Sequence, residues 1–444
     1  MKKLNIVFCS FPDYSSNAKA LYEYMITKYK NDFNLIWAVN SDKMVEILSN
    51  KGIETYKIGS NEYYNRIKNI DVFFTTHANI TDEKNDNALY IELWHGIGGK
   101  SSGYMVNNLS SEDFKWYSEI RKKIDYMIVP SDFWRPIFST IFNMQYNRVV
   151  PLGYPKLDPI INSRGKENLN KILNFNTNKF NKVIFYMPTF RSGCNRNQET
   201  TINQKNILNI EEYDEYKLLN FLKENNYLLC IKKHPSEENE LNFIENNNVK
   251  VLKESDFENN GLTINEILNA ADILITDYSS LGIDFLILNK PVIYINNDVD
   301  QYKKNRGIIF SNTDFWMPGY KSKTITELID NIEEANKYGI HCDQLKMKNI
   351  WFGGLENGGC EQICNFIFDK NGINKKIKYY KDIEDILNQK LENDKILMKE
   401  KDDIIDARNA RIRELDAFIS EIINSKGWQT LEKLRNIKKK ILRK

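Results

Sequence analysis

Two histidines of this 444-residue chain lie in settings that suit proton transfer. His95 lies in the glycine-rich run LWHGIGGK (residues 93–100), and His234 lies in KKHP (residues 232–235). Each follows a short apolar run that predicts a buried strand, so each ring is expected at a strand end. An imidazole titrates near neutral pH and can take a proton from a hydroxyl group. We therefore interpret both as catalytic candidates, although either one alone could equally be structural.

The turn TDYSS (residues 276–280) has the form of an anion site. It joins a β-branched run, Ile273–Thr276, to a helical pattern that begins at Ser279 or Ser280. The first amides of a helix lack internal partners and lie at the positive end of its dipole, so they attract phosphate. Ordinary capping by Ser279, with Asp277 satisfying the turn, explains the same pattern, and both interpretations stay open here.

Other polar side chains after predicted strands extend this set. The arginine in YMPTFR (residues 186–191) supplies a planar fork suited to phosphate, although a surface ion pair explains it equally well. His77 ends the run FFTTH and either lines the acceptor side or is structural. The sequence has no acidic cluster with metal-ligand spacing, so it predicts charge neutralisation by protein groups, without a metal or other cofactor. The candidate phosphate-binding residues are Thr189, Arg191, Lys233, Thr276, Asp277, Ser279 and Ser280, and the acceptor-side candidates are Gly96, Lys100 and His77.

Alternating apolar runs and amphipathic segments predict an α/β fold that positions these residues. The alternation extends from Leu4 to about Ile160, pauses in the polar stretch 162–181, and restarts. It predicts two facing Rossmann-like domains with parallel sheets and a site in the cleft beyond the carboxyl ends of the strands. The predicted strands are Leu4–Phe8, Leu35–Val39, Val72–Thr76, Tyr90–Leu93, Tyr126–Val129, Val183–Tyr186, Leu228–Lys232, Ile273–Thr276 and Val292–Ile295. The predicted helices are Asn17–Lys30, Lys43–Lys51, Tyr213–Glu224, Thr263–Asn269 and Thr324–Lys337.

The end of the chain differs from the rest. Residues 375–424 are charged and lack Gly and Pro, and their apolar residues have coiled-coil-like spacing, which predicts a long helix or helical pair that could form a homo-oligomer. Beyond a break at Gly427, an apolar face opposes a basic face, which suits an anionic membrane surface. A partner-binding helix and a solvated basic end remain alternatives. The apolar residues of the two segments are Ile405, Ile412, Leu415, Ile419 and Ile422, then Trp428, Leu431, Leu434, Ile437 and Ile441.

Composition limits the class of protein. The net charge is +2, yet the last twenty residues carry eight Lys or Arg against one Glu, which leaves the body near −5 without a basic stripe for nucleic acid. Six scattered cysteines and no apolar stretch of ~20 residues predict a cytoplasmic protein with reduced thiols. The basic end of the chain predicts a position at the inner face of the membrane. The predicted domains are residues 1–160 on the acceptor side, 161–374 on the donor side, the helical segment 375–424 and the membrane helix 425–444.

The ordered motifs resemble those of the CDP-glycerol glycerophosphotransferase family over roughly residues 5–370. Two departures stand out: Gly98-Gly99 replaces the proline usual after the first histidine motif, and Lys156 stands where arginine is common. The departures leave the acceptor and the polyol of the donor open. The matching motifs are Trp94-His95-Gly96 with Lys100, Met187-Pro188-Thr189-Phe190-Arg191, His234-Pro235, and Thr276-Asp277-Tyr278-Ser279-Ser280 with Asp284 and Pro291.

The resemblance implies a GT-B fold, metal-independent transfer and a peripheral membrane protein. It implies that His95 is the base on the acceptor hydroxyl and that His234 contacts the phosphates of the donor. Thr189, Arg191, Ser279 and Ser280 would hold the pyrophosphate of a CDP-linked polyol, and attack on the phosphorus that bears the polyol would release CMP. The expected acceptor is a glycan or a lipid-linked molecule in teichoic-acid-like or capsule synthesis.

Two other functions remain compatible with the sequence. One is a GT-B glycosyltransferase that uses a nucleotide sugar, which would release a nucleoside diphosphate instead of CMP. The other is an assembly or membrane-docking subunit that acts mainly through residues 375–444. Substitution of His95 separates this last function from catalysis, because a docking subunit does not need a base.

Overall fold

The computed structural model describes residues 3–29, 32–78, 85, 88–107, 109–189, 206–232, 245–355, 357–368 and 380–441, with the backbone alone at 301, 304–306, 380–388 and 437–441. The contacts divide the chain into two compact units, residues 1–377 and residues 378–444. The first unit contains both β-sheets, and with them every candidate site residue that is described.

The first sheet has seven parallel strands in the order β3-β2-β1-β4-β5-β6-β7. The strands β1, β4, β5 and β6 are buried along their whole length, as expected when a parallel sheet is covered on both faces. The order reverses between β1 and β4, and a doubly wound sheet opens its ligand crevice at such a point. The strands are β1 Leu4–Cys9, β2 Phe33–Val39, β3 Glu54–Lys57, β4 Val72–Thr75, β5 Leu89–Glu92, β6 Tyr126–Val129 and β7 Val149–Pro151.

The second sheet repeats this winding with five parallel strands in the order β10-β9-β8-β11-β12. Its order reverses between β8 and β11. The two Rossmann-like halves with parallel sheets that the sequence predicts are therefore confirmed, while the boundaries at residues 160, 374 and 424 stay predictions. The strands are β8 Lys182–Tyr186, β9 Tyr227–Ile231, β10 Val249–Val251, β11 Ile273–Thr276 and β12 Val292–Tyr294.

Fifteen described helices accompany the sheets in the first unit. The last of them returns to the first sheet, where Phe366 contacts Tyr126 and Phe368 contacts Phe33, with ring centroids 5.5 and 4.7 Å apart. The helices are α1 Ser16–Tyr29, α2 Asp42–Asn50, α3 Asn61–Ile67, α4 Ser111–Lys123, α5 Trp134–Phe142, α6 Leu157–Asn162, α7 Gly165–Leu173, α8 Glu215–Glu224, α9 Glu254–Asn260, α10 Ser280–Phe285, α11 Val299–Arg306, α12 Thr313–Trp316, α13 Ile325–Tyr338, α14 Cys342–Phe352 and α15 Cys360–Ile367.

The sequence predicts nine of the strands, each with both ends within two residues of the ends in the structure, but it misses β3, β7 and β10. These three strands have three or four residues each, too few to show a pattern. The predicted helix Thr263–Asn269 is wrong, because the segment forms two 3-10 turns, Ile264–Glu266 and Leu268–Ala270. The Glu266 carboxylate accepts from Thr263 N at 2.7 Å and from Lys19 Nζ at 2.5 Å, and these bonds tighten the first turn.

The second unit consists of α16, Tyr380–Asn424, and α17, Lys426–Ile441. The prediction of a long helix before residue 424 is confirmed as one helix of 45 residues. The break lies at Ser425, not at Gly427, because Ser425 Oγ accepts the N–H of Trp428 at 3.2 Å and so caps α17. Within the described part of the chain, no helix is both long and apolar enough to cross a bilayer.

Candidate active site

His77 and His95 stack on each other at the ends of two neighbouring strands. Thr75 of β4 is the register partner of Glu92 of β5, so the residues after these strands emerge side by side. The centroids of the two imidazole rings are 4.0 Å apart and the ring planes differ by 7°. The Trp94 ring lies 4.4 Å from the His95 ring, and the Phe11 ring lies edge-on 5.7 Å from His77. The pair therefore lies beside the switch point of the first sheet.

The hydrogen bonds of His95 leave one nitrogen available as a base. His95 Nδ1 lies 3.3 Å from the backbone oxygen of Thr76. A carbonyl oxygen only accepts, so Nδ1 carries the proton and Nε2 keeps its lone pair. His77 Nδ1 lies 2.9 Å from the hydroxyl of Thr76. One residue of the β4 turn thus orients both rings.

The surroundings keep both imidazoles neutral at pH 7. Desolvation by the surrounding protein lowers the pKa of His95 well below its usual range, and His77, Lys156 and Lys100 act in the same direction. The His95 side chain is nevertheless exposed to the open cleft, so solvent moderates the desolvation. Burial lowers the pKa of His77 to about 4. A bound phosphate would oppose these effects, because an anion stabilises the imidazolium.

The glycines after His95 let its loop approach the second sheet closely. A Cβ at Gly96 would lie 2.9 Å from Ser280 Oγ, and one at Gly99 would lie 2.3 Å from the ring of Trp316. The oxygen of Gly99 also accepts the N–H of Ile309 at 2.7 Å. Gly96 and Gly99 are buried, and they allow this close contact between the two halves.

The predicted phosphate turn is organised by Asp277. Its carboxylate accepts from Thr189 N at 2.9 Å, from Thr189 Oγ1 at 2.7 Å and from Ser279 N at 3.0 Å. Thr276 donates to the oxygen of Met187 at 2.6 Å. These bonds join the turns after β8 and β11 at the switch point of the second sheet. Thr276 and Asp277 are buried in contacts with the protein itself, and their contact with phosphate stays a prediction.

The half-exposed residues around this turn provide donors towards the cleft. Ser279 caps α10 by accepting the N–H of Leu281 at 3.4 Å, so the capping interpretation is confirmed. Lys100, expected on the acceptor side, extends to the second half, where its Nζ lies 3.1 Å from Thr189 Oγ1. This places a positive charge beside the predicted phosphate turn. Arg191, Lys233 and His234 lie outside the described residues, and their roles stay predictions.

Lys156 joins the His95 loop to the second half. Its Nζ lies 2.9 Å from the oxygen of His95 and 2.5 Å from Asp284 Oδ2 on α10. Asn17 Nδ2 donates to the two preceding carbonyls, of Leu93 at 3.0 Å and of Trp94 at 2.9 Å, and its Oδ1 accepts the N–H of Lys156. Three consecutive carbonyls of the His95 loop are thus fixed by two buried side chains.

His95 and Ser280 line two cavities at once. The larger cavity, about 540 Å³, lies between the halves and also includes His77, Lys156 and Lys232 in its lining. The smaller cavity, about 150 Å³, is lined by the aromatic rings of Trp94, Trp134, Phe138 and Tyr278 together with Lys100. A base at the boundary of two cavities can contact two substrates, which is what a group transfer requires.

Sequence reasoning missed Glu92 and the ring stack. Glu92 is the last residue of β5 and is fully buried, with both carboxylate oxygens bound to backbone N–H groups. The signal was a lone carboxylate in the apolar run LYIEL, since acidic residues are almost never fully buried without a partner. The stack has no local signal, because the two histidines are eighteen residues apart and meet only through strand pairing.

Two doubly wound halves around a cleft, with His95 lining two cavities, have the architecture of the GT-B type of transferase. Comparison with known proteins identifies the family: residues 1–368 match the model of CDP-Glycerol:Poly(glycerophosphate) glycerophosphotransferase. The chain belongs to this family and is a transferase of the glycerophosphotransferase type.

Curated relatives agree with this assignment. The chain is 27% identical over 372 residues to teichoic acid glycerol-phosphate primase of Bacillus subtilis (strain 168), covering 80% of this chain and 89% of that protein. It is 26% identical over 384 residues to teichoic acid glycerol-phosphate transferase of Staphylococcus aureus (strain NCTC 8325 / PS 47), covering 82% and 92%. A teichoic acid poly(glycerol phosphate) polymerase of Staphylococcus epidermidis is 29% identical, but the match covers only 44% of that longer protein.

The fold agrees with solved structures. A structure of the wall teichoic acid polymerase TagF matches with a TM-score of 0.62 and 25% identity, covering 87% of this chain and 90% of that chain. A TagF variant soaked with CDPG matches with a TM-score of 0.63 and 24% identity, covering 86% of this chain and 89% of that one. The predicted GT-B-like architecture is confirmed.

We expect Lys156→Met to destabilise the protein by about 3–5 kcal/mol, because the substitution leaves the Asp284 carboxylate buried without a counter-charge. Lys156 and Asp284 are only 4% and 2% exposed, so water cannot replace the missing ammonium. The double variant Lys156→Met with Asp284→Leu should recover most of the loss. Denaturant unfolding of the single and double variants measures this, and equal losses in both would contradict the pairing.

Proposed function

We propose that this protein transfers glycerol phosphate, or a related polyol phosphate, from a CDP-activated donor to a hydroxyl of a glycan or lipid-linked acceptor, with release of CMP. The product would belong to a teichoic-acid-like or capsule polymer. Family membership supports the reaction type. The observation that carries the proposal is the position of His95, which lines both cavities and whose Nδ1 lies 3.3 Å from the Thr76 carbonyl, a contact that leaves Nε2 as the basic nitrogen.

His95 acts as the general base in the proposed reaction. Its Nε2 takes the proton of the acceptor hydroxyl as the oxygen attacks the phosphorus that bears the polyol. The bond between that phosphorus and the bridging oxygen breaks, and the electron pair leaves with CMP. The Thr76 carbonyl stabilises the resulting imidazolium because it accepts a hydrogen bond from the Nδ1–H group. The negatively charged donor stabilises the same cation.

Protein groups neutralise the charge of the pyrophosphate. Lys100 lies beside Thr189, and the hydroxyls of Ser279 and Ser280 lie at the start of α10. Preorganised donors and cations of this kind stabilise charge that develops on phosphate oxygens. We therefore propose transfer without a metal ion. His234 and Arg191 are the further donor contacts that the family resemblance implies.

A screen of CDP-glycerol, CDP-ribitol and common nucleotide sugars, scored by the nucleotide released, tests the reaction. We expect CMP from one or both CDP-polyols, with the rate maintained in EDTA. His95→Ala should lower the rate at least ~10²-fold, because the acceptor hydroxyl then loses its assigned base. His341→Ala is the matched control, since His341 caps α14 by accepting the N–H of Asp343 and lines neither cavity.

Three results would overturn the proposal. Release of a nucleoside diphosphate from a nucleotide sugar, without CMP from a CDP-polyol, would identify a glycosyltransferase. Full activity of His95→Ala would exclude the assigned base. If removal of residues 375–444 also abolished activity, the two results together would favour a docking subunit. Loss of activity in EDTA would show that a metal is required.

We also propose that α17 binds the inner face of the anionic cell membrane. Trp428, Leu431 and Leu434 are exposed apolar residues on this helix. Residues 425–444 carry eight basic residues against one acidic residue. An exposed apolar face beside a strongly basic face is typical of a helix that lies in the headgroup region. The side chains from Ile437 onwards, which include the predicted Ile441, lie outside those described.

Replacing Lys433 and Arg435 by Gln should weaken binding to liposomes with anionic lipid roughly 30-fold, since each basic residue contributes about 1 kcal/mol near the headgroups. Liposomes of neutral phosphatidylcholine are the control, and there the two proteins should bind alike. Co-sedimentation of the full chain measures both. Equal binding of the variant and the parent chain to anionic liposomes would contradict the assignment.

For α16 we propose a different partner, a second copy of this chain. Ile405, Ile412 and Ile419 recur every seven residues, Leu415 and Ile422 each follow an isoleucine by three residues, and all five are exposed on a single helix. The fourth core positions are Arg408, Leu415 and Ile422, and the central pair, Ile412 with Leu415, is the combination that favours a parallel two-stranded coiled coil. In that register Arg411 of one helix faces Asp416 of the other, an attractive pair.

The charge of α16 distinguishes this partner from a membrane. Residues 398–424 contain seven acidic and five basic residues. A net negative helix is repelled by anionic lipid, whereas an apolar seam with mixed charges suits another protein helix. The two segments therefore call for different partners.

Ile412→Cys should form an intermolecular disulfide under mild oxidation, because the same core position of two parallel helices in register meets its own copy. Ala410→Cys, on the opposite side of the helix, is the matched control and should not cross-link above the background of exposed Cys342. Light scattering of the full chain should give the mass of a dimer. A monomer would refute the proposal, and a dimer without the Ile412→Cys cross-link would refute the parallel register.

A further inference from the structure

We propose that Glu92 is a positioning residue that holds the His77 and His95 stack by accepting one backbone N–H from the turn of each histidine. This inference rests on the proposed function only in that His95 is the base. Glu92 lies outside both cavities and therefore acts through the histidines. Its two oxygens join the turn after β4 to the turn after β5.

The contacts of Glu92 are specific to the two turns. Oε2 accepts the N–H of Ala78 at 2.7 Å, and Oε1 accepts the N–H of Trp94 at 2.6 Å. Ala78 follows His77 directly, and Trp94 precedes His95 directly. Each bond therefore fixes the backbone one peptide away from an imidazole. One carboxylate sets the positions of both rings relative to each other.

Both turns need such a support because their backbone is strained. Ala78 has φ +51° and Trp94 has φ +52°, in the left-handed region that residues other than glycine rarely adopt. Such a conformation costs roughly 1–2 kcal/mol per residue. Strained residues persist where surrounding contacts over-determine them, and they cluster at functional sites. Here the two strained residues flank the two histidines and share one acceptor group.

A carboxylate suits this position better than an amide. Both backbone groups are donors, and only a carboxylate offers two acceptor oxygens without a donor of its own. Glu92 is fully buried; burial raises its pKa, and the two N–H donors oppose that change because they stabilise the ionised form. Burying this group is costly, so a glutamate here is difficult to explain as mere filling of the core.

Desolvation is the larger cause of the lowered pKa of His95, and the stack with His77 lowers it further. Two imidazoles 4.0 Å apart cannot both carry a positive charge at low cost, so His77 keeps His95 available as a base. The other charged groups that face His95 are Lys100 on its own loop and Lys156 after β7, which is paired with Asp284 of α10. If the stack is released, the pKa of His95 should rise towards the ordinary value of ~6.5.

Glu92→Gln in the full-length protein tests the inference. The Gln oxygen can accept one N–H, but its NH₂ group faces the other donor, so one turn should relax. We expect kcat to fall by roughly 10²-fold, because a base displaced by about 1 Å loses that much, with little change in the KM for the donor. The acid limb of the pH profile should move upwards towards ~6.5. An unchanged kcat and an unchanged acid limb would overturn the proposal.

Asp125→Asn is a matched control. Asp125 is buried, and its carboxylate accepts the N–H of Tyr90 at 2.8 Å, on the same strand β5 but away from the histidines. A general effect of a missing buried carboxylate would appear in both variants. A shift of the acid limb in Glu92→Gln alone agrees with the positioning role, and an equal shift in both contradicts it.

Histidine NMR provides a readout that does not depend on activity. The chain has only four histidines, so each ring can be assigned through single substitutions. In Glu92→Gln the signals of His77 and His95 should shift and titrate higher, while that of His341 should not. If the wild-type protein releases no CMP, the proposed function fails, yet the NMR titration still decides the role of Glu92.

Ala78→Gly in the Glu92→Gln background tests the cause. Glycine adopts positive φ without the steric cost, so the turn needs less support from position 92. We therefore expect Ala78→Gly to restore part of the kcat lost in Glu92→Gln. If Glu92 served only bulk stability, this glycine would not rescue kcat. If Glu92→Gln alone fails to fold, the double variant Ala78→Gly with Glu92→Gln provides a second test. A folded double variant whose acid limb is not shifted would overturn the proposal.

Discussion

The site depends on one buried ammonium group. Lys156 Nζ binds both the carbonyl of His95 and the carboxylate of Asp284, and so it fixes the proposed base relative to α10, which begins at the predicted phosphate turn. Buried ion pairs cost desolvation and rarely add net stability, so specificity of geometry is the better explanation for this pair. Family resemblance places arginine here. A lysine reaches only one oxygen, and Asp284 Oδ1 has no hydrogen bond within the described residues.

The same close approach requires a glycine at one of the two positions where this chain lacks the family's proline. An alanine Cβ at position 99 would lie 2.3 Å from the ring of Trp316, whereas a Cβ at position 98 would meet nothing closer than 3.9 Å. Trp316 is buried, and its neighbour Met317 is fully enclosed. The Trp316 ring thus occupies the space that a side chain at position 99 would need. The absence of a side chain at Gly99 sets how closely the two halves approach each other.

Patterns local to the chain were predictable, and contacts between distant segments were not. Strand ends fix where His95, Thr189 and Ser279 lie, because parallel strands share one carboxyl edge. The stack of His77 on His95 and the bond from Lys100 to Thr189 depend on pairing between elements, which leaves no local trace. The helix predicted for residues 263–269 is wrong for a related reason. Glu266 bonds with Thr263 and Lys19, and these side-chain bonds outweigh helical propensity.

The two functions proposed for the second unit, pairing of α16 with a second copy and binding of α17 to the membrane, strengthen each other. The strands of a parallel coiled coil end at the same side, so two copies of α17 would emerge together from the two Ser425 caps. Once one basic helix is bound to anionic lipid, the second binds as an intramolecular event at high effective concentration. Avidity then exceeds the affinity of one helix without any new contact. A helix too weakly basic to anchor a monomer can in this way hold a dimer at the membrane, where a lipid-linked acceptor would be found.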